Sequence, residues 1–155
     1  MRTAQAIVAI LCILLLSSWQ AAVAVENAEK EIKSVLDQYV SSVEKEDMGQ
    51  YAKIVAHDST SANFGSMGGP IVGWEALRQV MEGQNASLDS IRIEQSDVVI
   101  HILPGGTSAW ATSLWRFRAK AGQTLLDLPV RCTWILEKRE GKWLIIHFHK
   151  SVAAG

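Results

Sequence analysis

The chain has 155 residues, 48% hydrophobic and 20% charged, with a net charge of −1. That is one domain's worth of sequence, long enough to bury a core and too apolar for a disordered chain. No basic stripe points to nucleic acid, and no polybasic segment points to a membrane surface.

Residues 1–24 read as an export signal. Arg2 gives a positive start, Ala6 to Leu16 is an unbroken apolar run, and Ala22-Val23-Ala24 supplies the small residues that signal peptidase needs. The run is shorter than the ~20 residues of a membrane span. The mature domain, residues 25–155, is therefore expected in the periplasm or outside the cell, with no membrane attachment after cleavage. Cleavage removes Arg2 and takes the net charge to −2. Cys12 lies inside the apolar run, so Cys132 is the one cysteine of the mature chain. An internal disulfide or a cysteine metal site is then excluded, and Cys132 reads as a small buried hydrophobe. Asn85-Ala86-Ser87 is a glycosylation sequon that matters only in a eukaryotic host.

Glu26 to Glu46 is expected to be a helix, because Ile32, Val35, Leu36, Tyr39, Val40 and Val43 recur at three- and four-residue spacing. Asp47 is placed to cap a short second helix with Tyr51, Ile54 and Val55 inward. Residues 57–73 are rich in Ser, Gly, Asn and Pro and read as a loop with a short strand near Ala62 to Phe64. Within it, residues 65–70 suit a flexible lip. Trp74 to Gln84 is a third helix, with Trp74, Leu77, Val80 and Met81 on one side. Four long strands follow, over residues 90–103, 108–120, 125–138 and 142–152, with a tight hairpin at Glu140-Gly141. Helices first and an antiparallel meander afterwards make an α+β order. A strongly curved sheet wrapped round the N-terminal helices would form a cone.

The last hairpin, RCTWILEKREGKWLIIHFHKS (residues 131–151), resembles that of the SnoaL-like branch of the nuclear-transport-factor-2-like (cystatin-like) superfamily. It also resembles the end of the association domain of calcium/calmodulin-dependent protein kinase II. The helix pair before Asp58, then Phe64-Gly65, then Gly73-Trp74-Glu75-Ala76-Leu77, are similar to the family's N-terminal half. The resemblance covers nearly all of residues 26–152. It implies the cone fold and a homodimer through the outer sheet face, with Phe117 and Phe148 as outer apolar residues. It does not imply one function, since the fold hosts isomerases, dehydratases, cyclases, oligomerisation domains and binders.

Strand alternation sorts the polar candidates. His147 and His149 share a face with Trp143 and Ile145; Phe148 and Lys150 share the other. His149 reads either as a cavity group or as an interface residue, and His147 as a structural one. A metal reading of the pair finds no third ligand at a motif spacing, so no metal and no cofactor are expected. Arg131, in a run that otherwise reads as buried strand, needs an internal carboxylate or an anionic ligand. The association domain's arginine-lined pocket favours the ligand, although its nearest arginine falls at Trp134. Asp58 reads as a turn cap or, with His149, as a candidate base. The expected pocket is walled by Tyr39, Trp74, Trp110 and Trp134, with Arg131 and His149 as its polar groups. It suits a small aromatic or cyclic ligand with an acidic or carbonyl group. Three functions stay open: a binder of such a ligand, a cofactor-free isomerase, dehydratase or cyclase, and an oligomerisation or partner-binding module.

Overall fold

The structure, a computed structural model, describes residues 2–66 and 68–152, with side chains from Val23 onward. The residues of the export-signal reading before Val23, and Met67 in the lip, therefore lie outside the described side chains. Helix α1 runs Arg2–Glu44, α2 Met48–Ile54 and α3 Trp74–Ser87. The strands are β1 Ala62–Phe64, β2 Pro70–Val72, β3 Asp89–Ile102, β4 Ser108–Ala121, β5 Thr124–Arg139 and β6 Lys142–Val152. Among the described residues no helix is long and apolar enough to cross a membrane.

Helix α1 does not start at Glu26 but continues back to Arg2. Its predicted stripe is the heart of the core: Ile32, Leu36 and Tyr39 are fully buried, and Val35 and Val43 nearly so. Asp47 caps α2, its Oδ1 accepting from Gln50 N at 2.9 Å, and Tyr51, Ile54 and Val55 point inward. In α3, Leu77 and Met81 are buried, but Val80 is exposed, because the helix rests on the sheet along a narrower stripe than its apolar residues suggest. Gly73 enters α3 at φ 80, where a Cβ would stand 2.8 Å from the Ser59 carbonyl oxygen, so the turn admits glycine alone.

The six strands form one curved, unclosed sheet in the order β2-β1-β6-β5-β4-β3. The meander β3 to β6 is antiparallel. The Glu140-Gly141 turn has both residues at positive φ, as a two-residue hairpin of type I′ requires. The short strand β2, Pro70–Val72, was hidden in the loop reading; it pairs with β1, which runs parallel to β6 through Phe64 and His149. Buried Asn63 fastens that edge by accepting from Phe148 N at 3.0 Å.

A bulge decides which side chains enter the cone. On β6, Ile145 is opposite Leu136, but His147 is opposite Ile135, so one extra residue lies between them. Alternation resumes one step out of phase. Trp143 and Ile145 face inward, and so do Phe148 and Lys150, while His147 and His149 face outward. The expectation that all of Trp143, Ile145, His147 and His149 share a face fails for this reason. Phe148 is likewise a core residue rather than an outer one, and Phe117 is half-buried on the inner face of β4.

Candidate functional site

The inner face of β5 alternates Leu126, Leu128, Val130, Cys132 and Trp134, and β4 supplies Phe117 and Trp115 opposite Leu128 and Val130. Toward Trp134 the cone is filled by α1. Toward Leu126 it is not, and a cavity of about 210 Å³ remains there. Val43 of α1, Gln84 and Leu88 at the end of α3, and Ser66 of the lip complete its lining. The walls are apolar; the polar lining groups are Ser66, Gln84 and Lys150.

Lys150 stands at the inner end of this space, opposite Cys132. Its Nζ donates to Tyr39 Oη at 2.8 Å, and Tyr39 Oη lies 3.3 Å from Tyr51 Oη. Four aromatic rings surround the nitrogen, with centroids at 4.6 Å (Tyr39), 4.7 Å (Phe148), 4.8 Å (Trp115) and 5.8 Å (Trp134). No carboxylate pairs with it among the described residues. Burial therefore pushes the amine down to about 8, against the attraction of the ring faces for the charged form. Burial also pushes the Cys132 thiol up to about 11 and the Tyr39 phenol well above its ordinary value, so both stay protonated beside it. Gln84 adds an unsatisfied group: its buried Nε2 has no hydrogen-bond partner among the described residues.

The predicted site residues divide. Tyr39 and Trp134 are fully buried and form the wall behind Lys150. Trp74 stands apart on the far side of Tyr51, stacked on His57 at 3.9 Å. Trp110, Arg131 and His149 are exposed on the outer face of the sheet, Trp110 stacked on His101 and His149 beside Phe64. Asp58 is held by both terminal nitrogens of Arg139 at 2.8 Å, which keeps its carboxyl below the usual range and ties it to the hairpin instead of the cavity. Asp127, the nearest carboxylate to Arg131 on its strand face, pairs with Arg116 instead. Among the described residues no group of three His, Cys, Asp or Glu side chains is placed to hold a metal ion.

Sequence reasoning gave Lys150 and Gln84 no place in the pocket and put Phe117 on the outer face. A signal for Lys150 was present: Phe148 lies between two histidines, so an inward Phe148 puts the histidines out and carries Lys150 in with it.

The SnoaL-like domain family matches residues 32–155 of the chain. In fold the chain is similar to a nuclear transport factor 2-like superfamily protein of Salmonella enterica, at 19% identity and TM-score 0.76 over 84% of this chain and 94% of that one. A candidate scytalone dehydratase of Novosphingobium aromaticivorans matches at 13% identity and TM-score 0.76, over 86% and 89% of the two chains. A candidate calcium/calmodulin dependent protein kinase II association domain of Xanthomonas campestris matches at 20% identity and TM-score 0.68, over 79% and 86%. At such identities the likeness is one of fold alone. No curated protein sequence matches the chain.

Proposed function

The chain belongs to the SnoaL-like domain family, and from that premise we propose that it binds a small, flat, mostly apolar ligand with an acidic or carbonyl group in the cavity beneath α3. One observation carries this reading: Lys150, ringed by four aromatic side chains and without a carboxylate among the described residues, ends a mostly apolar cavity. An unpaired buried ammonium is costly, and an anionic or carbonyl oxygen is the partner it lacks. A charge-assisted bond in such a dry site contributes about 1.5–3 kcal/mol. An engineered apolar cavity of about 150 Å³ takes up benzene, so the present space suits one ring with a substituent. The polar anchor thus moves from Arg131 and His149 to Lys150. The dehydratase-like reading has less support, since neither His149 nor Asp58 stands at the cavity to act as base.

The proposal includes export and self-association. The outer face of β3 to β5 exposes Val99, Trp110, Leu114 and Ile135. Trp110 is opposite Ile135, and Val99 lies one row away, opposite Thr112. A continuous apolar area of this kind in the middle of a sheet favours a second copy of the chain. Native mass spectrometry of the exported protein tests all three parts. The expected species is twice the mass of a chain starting at Val25, with a small molecule retained, and Leu114→Glu should halve its mass. An uncut chain, a monomer at micromolar concentration, or an empty protein that takes up no benzoate would each remove the corresponding part.

A further inference from the structure

We infer that Lys150 is a nucleophilic amine that captures an aldehyde or ketone in the cavity as an imine. This rests on the cavity being the ligand site, and goes beyond it by naming a covalent step and the class of compound that undergoes it. The geometry that carries it is the position of Nζ. It lines the cavity, it is tied to a single phenol at 2.8 Å, and among the described residues no carboxylate holds it in the charged form. A lysine retained in apolar surroundings is the setting in which an amine attacks carbonyl carbon. With the amine pushed down to about 8, about a tenth of it is neutral at pH 7, against about one part in 3000 for an ordinary lysine.

The step balances without a co-reactant. The ammonium gives one proton to solvent, and the neutral nitrogen adds to the carbonyl carbon. The C=O bond becomes a C–OH bond, and the nitrogen loses its remaining protons as the oxygen leaves as water. The product is a C=N bond, with one water released per ligand. Tyr39, held protonated by burial, accepts from Nζ at 2.8 Å and fixes the position of the amine at the end of the cavity. Gln84 Nε2, buried without a partner on the same cavity, is the donor left for a ring substituent. The groups that face Lys150 are Tyr39 and Cys132, with Tyr51 behind Tyr39. All three keep their protons through the neutral range, so the lysine alone titrates there.

The test is reductive trapping. Intact wild-type protein is treated at pH 7 with benzaldehyde and cyanoborohydride, and the benzylated peptides are mapped by mass spectrometry. Lys150 should carry the benzyl group at roughly ten times the level of the exposed lysines Lys45 and Lys120. Lys150→Arg, which keeps a cation but cannot form the imine, should lose that label while Lys45 and Lys120 keep theirs. Labelling of Lys150 no greater than that of the exposed lysines, with benzoate still bound in the wild type, overturns the imine and leaves the cavity reading standing. If neither compound binds and Lys150 is unlabelled, both fall.

Discussion

Trp134→Ala is expected to lower the stability of the protein by about 3–5 kcal/mol, the range for removing a large aromatic from a packed core. Trp134 is fully buried and joins the other large rings of the cone. Its centroid lies 4.8 Å from Tyr39, edge on, 5.6 Å from Trp115 and 6.1 Å from Phe148. Its Nε1 donates to Ser113 Oγ at 3.2 Å, and Ser113 is itself buried. Truncation would empty the space between α1 and β5 and leave that hydroxyl without its partner. The strands on either side cannot close the gap, because β5 is hydrogen-bonded to both β4 and β6. Urea unfolding should show a lower midpoint with an unchanged slope. A loss below about 1 kcal/mol would mean that the core collapses around the site, contrary to its packing.

Lys150→Met should do the opposite to stability and abolish binding of a carbonyl or acidic ligand. Methionine replaces an unpaired cation with an apolar chain of similar length, and a net gain of about 1–2 kcal/mol is expected at pH 7. The pH dependence identifies the cause. Below about 8 the lysine is charged in both the folded and the unfolded chain, and the full cost of burying it is present. Between about 8 and the ordinary lysine value the folded chain has released the proton while the unfolded chain keeps it. Unfolding then takes up a proton, so the contribution of Lys150 to stability rises with pH across this window, by roughly 2–3 kcal/mol. Above it both states are neutral and the penalty has gone. Cys132 and Tyr39, raised by burial, act in the opposite sense, because the unfolded chain releases their protons first; both proteins carry them, so it is the stability of wild type relative to the variant that should rise. Unfolding free energies at pH 7 and pH 10 for both proteins check this. Parallel pH profiles, or a variant less stable than wild type at pH 7, would show that the ring faces and Tyr39 hold the ammonium at no net cost.

Much of the fold was legible in the residues. The three- and four-residue spacing of Ile32 to Val43 required a buried helical stripe, Asp47 announced a cap, and Glu140-Gly141 announced a hairpin. Cys132 read as a small buried hydrophobe in a strand, and it is buried. All of these are local signals, set by backbone period or by one residue's conformational preference. The family resemblance of residues 131–151 added the cone, which periodicity alone does not specify.

The site was decided elsewhere. Alternation along a strand assigns faces only while no residue is inserted, and the single bulge before His147 reversed every later side chain of β6. Lys150 came in and His149 went out by that one step. Trp110 and Arg131 fell on the outer face because β4 and β5 present Trp115 and Cys132 to the cone instead. Asp58 found Arg139, 81 residues away, and so left the list of bases. Sequence by itself determined the elements other than β2, the inward helix stripe and the family of the fold. Which charge stands unpaired in the cavity depended on the tertiary structure, because pairing and burial are set by residues far apart in the chain and a one-residue shift in register exchanges inside for outside.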